Sequence, residues 1–237
     1  MKKTATTLAA LALVALMACP ALAANAVRIS QVYGGGGNAG ATYLNDYIEL
    51  YNNSAVSVDM SGWSLQYNSA TGTTDMGSCT NCLTIFPAGT CIGPGGYYLI
   101  QLAAGTNTAA PPLPVTADLI VPQATANNLS ASSGKIALKN NSLTTPCAAV
   151  NFVDLVGYGT ANCAEGLAAG GLSNSSAAVR NGSPAGSQDS DNNNLDFTVT
   201  SVFVPHNSHS PGTTPPDCPT PVPTQTMTWG AAKAIYR

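Results

Sequence analysis

Asn45-Asp46-Tyr47-Ile48-Glu49-Leu50-Tyr51-Asn52, followed by Val56-x-Val58-x-Met60 and Trp63-x-Leu65-x-Tyr67, is the stretch that decides the fold. Ile48 and Leu50 stand two apart, with Tyr47, Glu49 and Tyr51 on the opposite side, and the two later runs repeat the same period. In an extended chain successive side chains point to opposite faces, so this pattern predicts half-buried strands. Ser61-Gly62 between the second and third runs supplies a turn.

Working outward, Val27 and Ile29 alternate with Arg28 and Ser30 and run into Gly34-Gly35-Gly36-Gly37. Tyr97 to Leu102 is apolar on both faces after the turn signal Pro94-Gly95-Gly96. Ile136 and Leu138 alternate between Lys135 and Lys139, Val150 to Val156 reads as a buried strand, and Phe197 with Val199 makes the last. Seven or eight short strands divided by Gly, Pro and Asn turns, without helices alternating between them, exclude a doubly wound or barrel enzyme. They predict an all-β, two-sheet β-sandwich with long Gly/Asn-rich loops. The one helical expectation is Trp229 to Arg237, where Trp229, Lys233 and Tyr236 share a face of two turns.

The composition narrows the function. Only 8% of the 237 residues are charged, and eight Lys and Arg against eleven Asp and Glu give a net charge of −3. There is no basic field to hold a phosphate backbone, so nucleic acid is not an expected partner. Lys2 and Lys3, an apolar run from Leu8 to Met17 and Ala21-Leu22-Ala23 read as a secretory signal peptide over residues 1–23, with cleavage after Ala26 as a second option. Leu16-Met17-Ala18-Cys19 resembles a lipobox, with Met17 and Pro20 as poor fits. No second apolar stretch of membrane-spanning length follows. The expected place of action is therefore secreted, extracellular or at the cell envelope.

Cleavage after Ala23 leaves Cys79, Cys82, Cys91, Cys147, Cys163 and Cys218, an even set that reads as disulfides in an exported chain. Several connectivities remain open. A Cys147–Cys163 bridge would staple the strand between them, and Cys218 could pin back a proline-rich tail. The competing reading of Cys79-x-x-Cys82 as a zinc or redox site lacks a nearby fourth ligand. The organisation expected is a sandwich over residues 24–204, a Pro-rich linker or tail over 205–226 and the short helical segment over 227–237.

Ile29-Ser30-Gln31-Val32-Tyr33-Gly34-Gly35-Gly36-Gly37, Asn45 to Asn52 and Asp59-Met60-Ser61-Gly62-Trp63-Ser64-Leu65-Gln66-Tyr67 together resemble a bacterial lamin-tail domain. Pro94-Gly95-Gly96-Tyr97-Tyr98-Leu99, Gly134-Lys135-Ile136-Ala137-Leu138, Asp154-Leu155-Val156-Gly157-Tyr158-Gly159 and Asp189 to Phe197 are similar to the larger secreted form of that family. The resemblance implies an immunoglobulin-like sandwich that is not itself catalytic. It also implies a role in adhesion or tethering, since such domains accompany secreted nucleases, phosphatases and other hydrolases. No such partner domain is expected in these residues.

The candidate chemistry is sparse. Asp189-Ser190-Asp191-Asn192-Asn193-Asn194-Leu195-Asp196 alternates oxygen side chains, so Asp189, Asp191, Asn193 and Asp196 could wrap one structural Ca²⁺. Asn194 in place of Gly and Thr200 in place of a bidentate Glu depart from an EF-hand. The competing reading is an Asx-turn loop whose side chains cap backbone N–H groups. Asp46 and Glu49, three apart, point to opposite faces of a strand, and Glu49 is expected to pair with Arg28 or Arg180. Gly34 to Gly37 lack the Lys-Ser/Thr of a phosphate-binding loop and read as a close backbone approach or a positive φ. Trp63 is expected in the core. His206 and His209, in the tail, are expected to face solvent, and no Gly-x-Ser-x-Gly elbow is present.

These readings predict no catalytic residues and a secreted, non-catalytic structural, adhesion or protein-binding module. Tyr33, Tyr43 and Tyr67 would contribute to a recognition surface for an extracellular protein or glycan. A carbohydrate-binding module is the alternative. A hydrolase using Asp46, Glu49, Asp154 or Asp189 is the remaining class and would need two carboxylates facing across a groove.

Overall fold

The computed structural model describes residues 26–148 and 151–218. The expected signal peptide, the lipobox, the end of the proline-rich tail and the helical segment at 227–237 lie outside the described residues.

Twelve strands and one helical turn follow in the order β1 (Val27–Tyr33), β2 (Asn45–Asn52), β3 (Val58–Asp59), β4 (Ser64–Ser69), β5 (Leu83–Ile85), β6 (Cys91–Ile92), β7 (Tyr97–Ala104), β8 (Leu119–Ile120), β9 (Gly134–Lys139), β10 (Asp154–Tyr158), β11 (Ala177–Arg180), α1 (Asn193–Asp196) and β12 (Phe197–Thr200). A six-stranded sheet, β12-β11-β1-β2-β7-β8, faces a four-stranded sheet, β10-β9-β4-β5, and β3 pairs with β6 separately. Every pairing is antiparallel except β7 with β8. The architecture is the immunoglobulin-like β-sandwich. The strands beyond the expected seven or eight include β6 and β8, two residues each and too short to show a period.

The core fills from both sheets by alternation. Ile48 and Leu50 from β2 and Tyr98, Ile100 and Leu102 from β7 meet Leu65 and Tyr67 from β4, Ile136 and Leu138 from β9, and Val156 and Tyr158 from β10. Trp63 joins this cluster, as expected of a large apolar side chain beside a core strand.

β1 departs from simple alternation. Its register against β2 shifts between Ile29 and Gln31, a bulge at Ser30. An extra residue reverses the facing of everything after it. Val27 and Ile29 therefore enter the core, as does Val32, while Gln31 and Tyr33 turn to the outer face opposite Glu49 and Tyr47.

That outer face is covered too, which is why β2 is buried along its whole length. Tyr33, Tyr47 and Leu99 form a second apolar cluster with Leu113, Ala117 and Phe203, contributed by the segments that follow β7 and β12. Tyr33 and Phe203 pack with tilted rings, 5.3 Å between centroids. Gly34 to Gly37 close over the end of this layer: a methyl group at Gly36 would collide with the Asn45–Asp46 backbone, and Gly37 has φ of +58°.

The six cysteines form Cys79–Cys82, Cys91–Cys218 and Cys147–Cys163. The pair Cys79–Cys82 is therefore a bridge and not a metal or dithiol site. Cys218 carries the tail to β6.

Candidate functional site: a charged network beneath the acidic loop

The β1 bulge creates the site. The ladder between β1 and β11 ends at Gln31 and Val179, so the Ile29 N–H and C=O on that side have no strand partner. Buried backbone groups must be paired, and here side chains from two other strands do it. Asp154, at the head of β10, accepts the Ile29 N–H at 2.6 Å, and Arg180 Nε, at the end of β11, donates to the Ile29 carbonyl at 2.7 Å. Arg180 Nη2 then donates to both Asp154 oxygens at 2.9 and 2.7 Å. Their side chains are 0% and 3% exposed, so this ion pair links the four-stranded sheet to the six-stranded one in the dry interior. Phe197 lies under the guanidinium, 4.5 Å from its ring centroid.

The network spreads into the loop singled out in the sequence. Asp189 stands 3.3 Å from Arg180 Nη1 and 3.3 Å from Arg28 Nε. Asp196 accepts from Ser190 N–H at 2.9 Å, Ser190 Oγ at 2.8 Å, Gln188 Nε2 at 3.3 Å and Asn192 N–H at 3.3 Å. Asn193 is fully buried and caps the free edge of β10: its Oδ1 accepts the Gly157 N–H at 2.8 Å and its Nδ2 donates to the Leu155 carbonyl at 2.9 Å. Asn192 is the N-cap of α1, accepting from Asn194 N–H. Asp191 is exposed, has φ of +54° and makes no side-chain hydrogen bond or ion pair among the described residues.

Asp189, Asp191, Asn193 and Asp196 thus face different partners: the two arginines, solvent, the β10 edge and their own loop. Among the described residues no group of three or more His, Cys, Asp or Glu side chains gathers closely enough to hold a metal ion.

Burial and charge set the protonation chemistry. Burial pushes the Asp154 carboxyl up, opposed by the Arg180 charge and the Ile29 N–H. Burial also works against the Arg180 cation, but the carboxylates of Asp154 and Asp189 outweigh it and leave its pKa raised. Glu165 borders the same network. Its carboxyl is pushed up to about 8 by burial and by the neighbouring charges of Asp154 and Asp189. Asp196 goes the other way: burial opposes ionisation, but the donors on Ser190, Gln188 and Asn192 hold its pKa below the usual carboxylate range.

The other two candidate carboxylates lie elsewhere. Asp46 joins the backbone of two loops, accepting Gly36 N–H and Leu129 N–H at 2.8 Å each, and burial pushes its carboxyl up to about 7. Glu49 does not pair with Arg28 or Arg180, whose partners are Asp189 and Asp154. Alternation along β2 places Glu49 on the outer face, and the bulge brings Ser30 and Gln31 opposite it there: it accepts from Ser30 Oγ at 2.6 Å, Gln31 Nε2 at 3.1 Å and His206 N–H at 2.6 Å.

His206 is the second correction. It is half-buried and not free in solvent: its Nδ1 lies 3.1 Å from Glu49 Oε2 and its ring stacks on Tyr97 at 4.6 Å. The chain from Phe203 onward runs across the outer face of the six-stranded sheet as a strap. Gln31 donates to the Val204 carbonyl, Ser208 Oγ donates to Asp118 at 2.5 Å, Asn207 donates to the Thr116 carbonyl and the Asp217 N–H donates to Ser57 Oγ. The Cys91–Cys218 bridge closes it. His209 is exposed, as expected.

The tyrosine recognition surface is the third correction. Tyr33 and Tyr67 are buried, and their hydroxyls hold loops: Tyr33 Oη donates to the Asn174 carbonyl, and Tyr67 Oη accepts the Ser130 N–H. Tyr43 packs partly buried against Tyr33 and Phe203. The sequence did not single out Glu165, and no local signal would have found it, because its neighbours come from residues 154, 189 and 193.

With this geometry in hand, the comparisons with known proteins are consistent. The family model described as Lamin Tail Domain matches residues 20–160. No curated protein sequence matches the chain. Among solved structures, the crystal structure of a DUF4876 family protein from Bacteroides thetaiotaomicron VPI-5482 is similar at a TM-score of 0.51 and 14% identity, covering 81% of this chain and 75% of that one. At that identity the likeness concerns the fold alone.

Proposed function

Because the chain belongs to the lamin tail domain family, we propose that it is a non-catalytic extracellular module, structural or adhesive, that presents a rigid surface to a protein or glycan outside the cell. One observation carries this reading: the buried carboxylates that a hydrolase would need are already held by the protein's own donors. Asp46 joins two loops, Glu49 fastens the strap and Asp154 bolts the sheets together. A general acid or base must reach substrate within hydrogen-bond distance, and these three groups are buried against their own donors. Three disulfides are compatible with export, and no helix among the described residues is long and apolar enough to cross a membrane.

The domain in this reading runs from Val27 to Cys218, since the strap packs on the sheet. The test is a pull-down from the native cell envelope with the mature protein, with and without chelator, beside a panel of polysaccharide and nucleic-acid hydrolysis assays. Capture of a defined envelope component without turnover supports the proposal. Turnover lost in a folded Asp154→Asn or Glu49→Gln variant overturns it.

A further inference from the structure

Four of the chain's eight basic side chains fall among the described residues, and they are used in two different ways. Arg28 and Arg180 each meet carboxylates. Lys135 and Lys139, on the outer face of β9, meet only neutral oxygens. All eleven Asp and Glu lie among the described residues, and none forms an ion pair with Lys135.

Lys135 is 1% exposed and is held by two strong hydrogen bonds, to the Gly72 carbonyl at 2.7 Å and Asn162 Oδ1 at 2.7 Å. An ammonium group has three donors, so one remains. Lys135 is one of the residues lining a cavity of about 290 Å³, whose other walls include Thr73, Thr74, Asn162, Pro146 and the Cys147–Cys163 bridge. A buried cation without a counter-charge is costly, and burial lowers the Lys135 pKa accordingly. An anionic oxygen entering the cavity would receive a charge-assisted hydrogen bond and remove that cost.

The rest of the lining narrows the ligand. Hydroxyls of Thr73 and Thr74 and the Asn162 amide suit a ligand carrying hydroxyl groups, while Pro146 and the disulfide offer an apolar wall for a ring face. The volume is at the small end for binding sites and suits one sugar ring. We propose that this cavity binds the carboxylate of an acidic sugar, a hexuronate unit, with Lys135 as the anion-binding group. The proposal rests on the glycan side of the proposed function and concerns this cavity alone, so its failure leaves a structural or protein-binding module standing, which the envelope pull-down decides independently.

The experiment is calorimetric titration of the full mature chain with glucuronate, with glucose as the neutral counterpart and acetate and a short peptide with a free carboxyl terminus as competitors. Saturable glucuronate binding is expected, with glucose weaker by about tenfold or more, the loss of one charge-assisted hydrogen bond. Lys135→Met should abolish binding. Should that variant lose its fold, Thr73→Trp fills the cavity from an exposed position that makes no side-chain hydrogen bond, and it should abolish binding with the melting temperature unchanged. Equal affinity for glucose, unchanged binding in Thr73→Trp, or displacement by acetate or the peptide as effective as by glucuronate itself would overturn the proposal.

Discussion

The Arg180–Asp154 pair offers the sharpest perturbation, because its two members are not equally replaceable. Arg180→Met removes the donor to the Ile29 carbonyl and leaves Asp154 buried with only the Ile29 N–H. Breaking a buried ion pair from one side costs about 3–5 kcal/mol, and this variant should fall in that range. Asp154→Asn should cost less, about 2 kcal/mol. Arg180 keeps Asp189 at 3.3 Å and Asp196 at 3.8 Å, and the amide oxygen still accepts from Ile29. The double variant should be more stable than the sum of the two by about 2 kcal/mol, the coupling of residues in one network. The assay is urea unfolding of the oxidised protein followed by far-UV circular dichroism at pH 5 and pH 8. Without the guanidinium, burial raises the Asp154 pKa further. A group whose folded pKa is raised loses its contribution as pH climbs through that value, so Arg180→Met should be worse at pH 8 than at pH 5. Additivity within about 0.5 kcal/mol, or equal losses at both pH values, would refute the view of this pair as the bolt between the sheets.

Further outcomes follow from the same geometry. The His206 pKa is raised, first by its hydrogen bond to Glu49. Its contribution is complete below about pH 6.5 and is lost as pH rises through the folded value, so amide protection factors in residues 203–210, corrected for the intrinsic hydroxide dependence of exchange, should fall between pH 6 and 8, and a His206→Ala variant should show no such fall. Glu165, at about 8 in the fold, keeps its proton while the unfolded chain releases one near pH 4.5. Stability should therefore decline between those values, and Glu165→Gln should flatten that slope in a pH series of urea midpoints. Replacing Cys91 and Cys218 by Ser opens a loop with a sequence separation of 127, against 3 for Cys79–Cys82. By loop-closure entropy the first should cost up to about 4–5 kcal/mol and the second far less, read as thermal midpoints. For the 189–196 loop, Asp196 already accepts four internal donors, so millimolar Ca²⁺ should give the chelated protein no binding heat. A saturable heat lost in Asp196→Asn would favour the cation reading instead.

How far the fold could be read from the chain depends on what each element answers to. Strands β2, β4 and β9 respond to alternation alone, and Ile48, Leu65 and Ile136 sit where a period of two places them, while β7 was legible as a run apolar on both faces because both of its faces are covered. The bulge at Ser30 is different: nothing in Arg28-Ile29-Ser30-Gln31 marks the slip, because Ser and Gln fit either face. Everything built on it was hidden in consequence, including the Ile29 backbone groups that Asp154 and Arg180 satisfy and the meeting of Ser30 and Gln31 with Glu49. The acidic loop was legible as a place where oxygen side chains gather. Which donors they would meet was not, since Asn193 answers to Leu155 and Gly157 and Asp189 answers to Arg28 and Arg180. His206 looked free because its proline-rich neighbours cannot join a ladder. It docks through a side chain and one N–H, which a proline-rich segment still permits.

The strap also orders the molecule in time. Its final anchor, Cys218, must find Cys91 near the middle of the chain, so an emerging polypeptide cannot lock its outer layer until almost the whole described length is out. In a reducing compartment that lock never sets. The layer of Tyr47, Leu99 and Phe203 would then depend on noncovalent contacts alone, and proteases would meet an open flap in place of a sealed face.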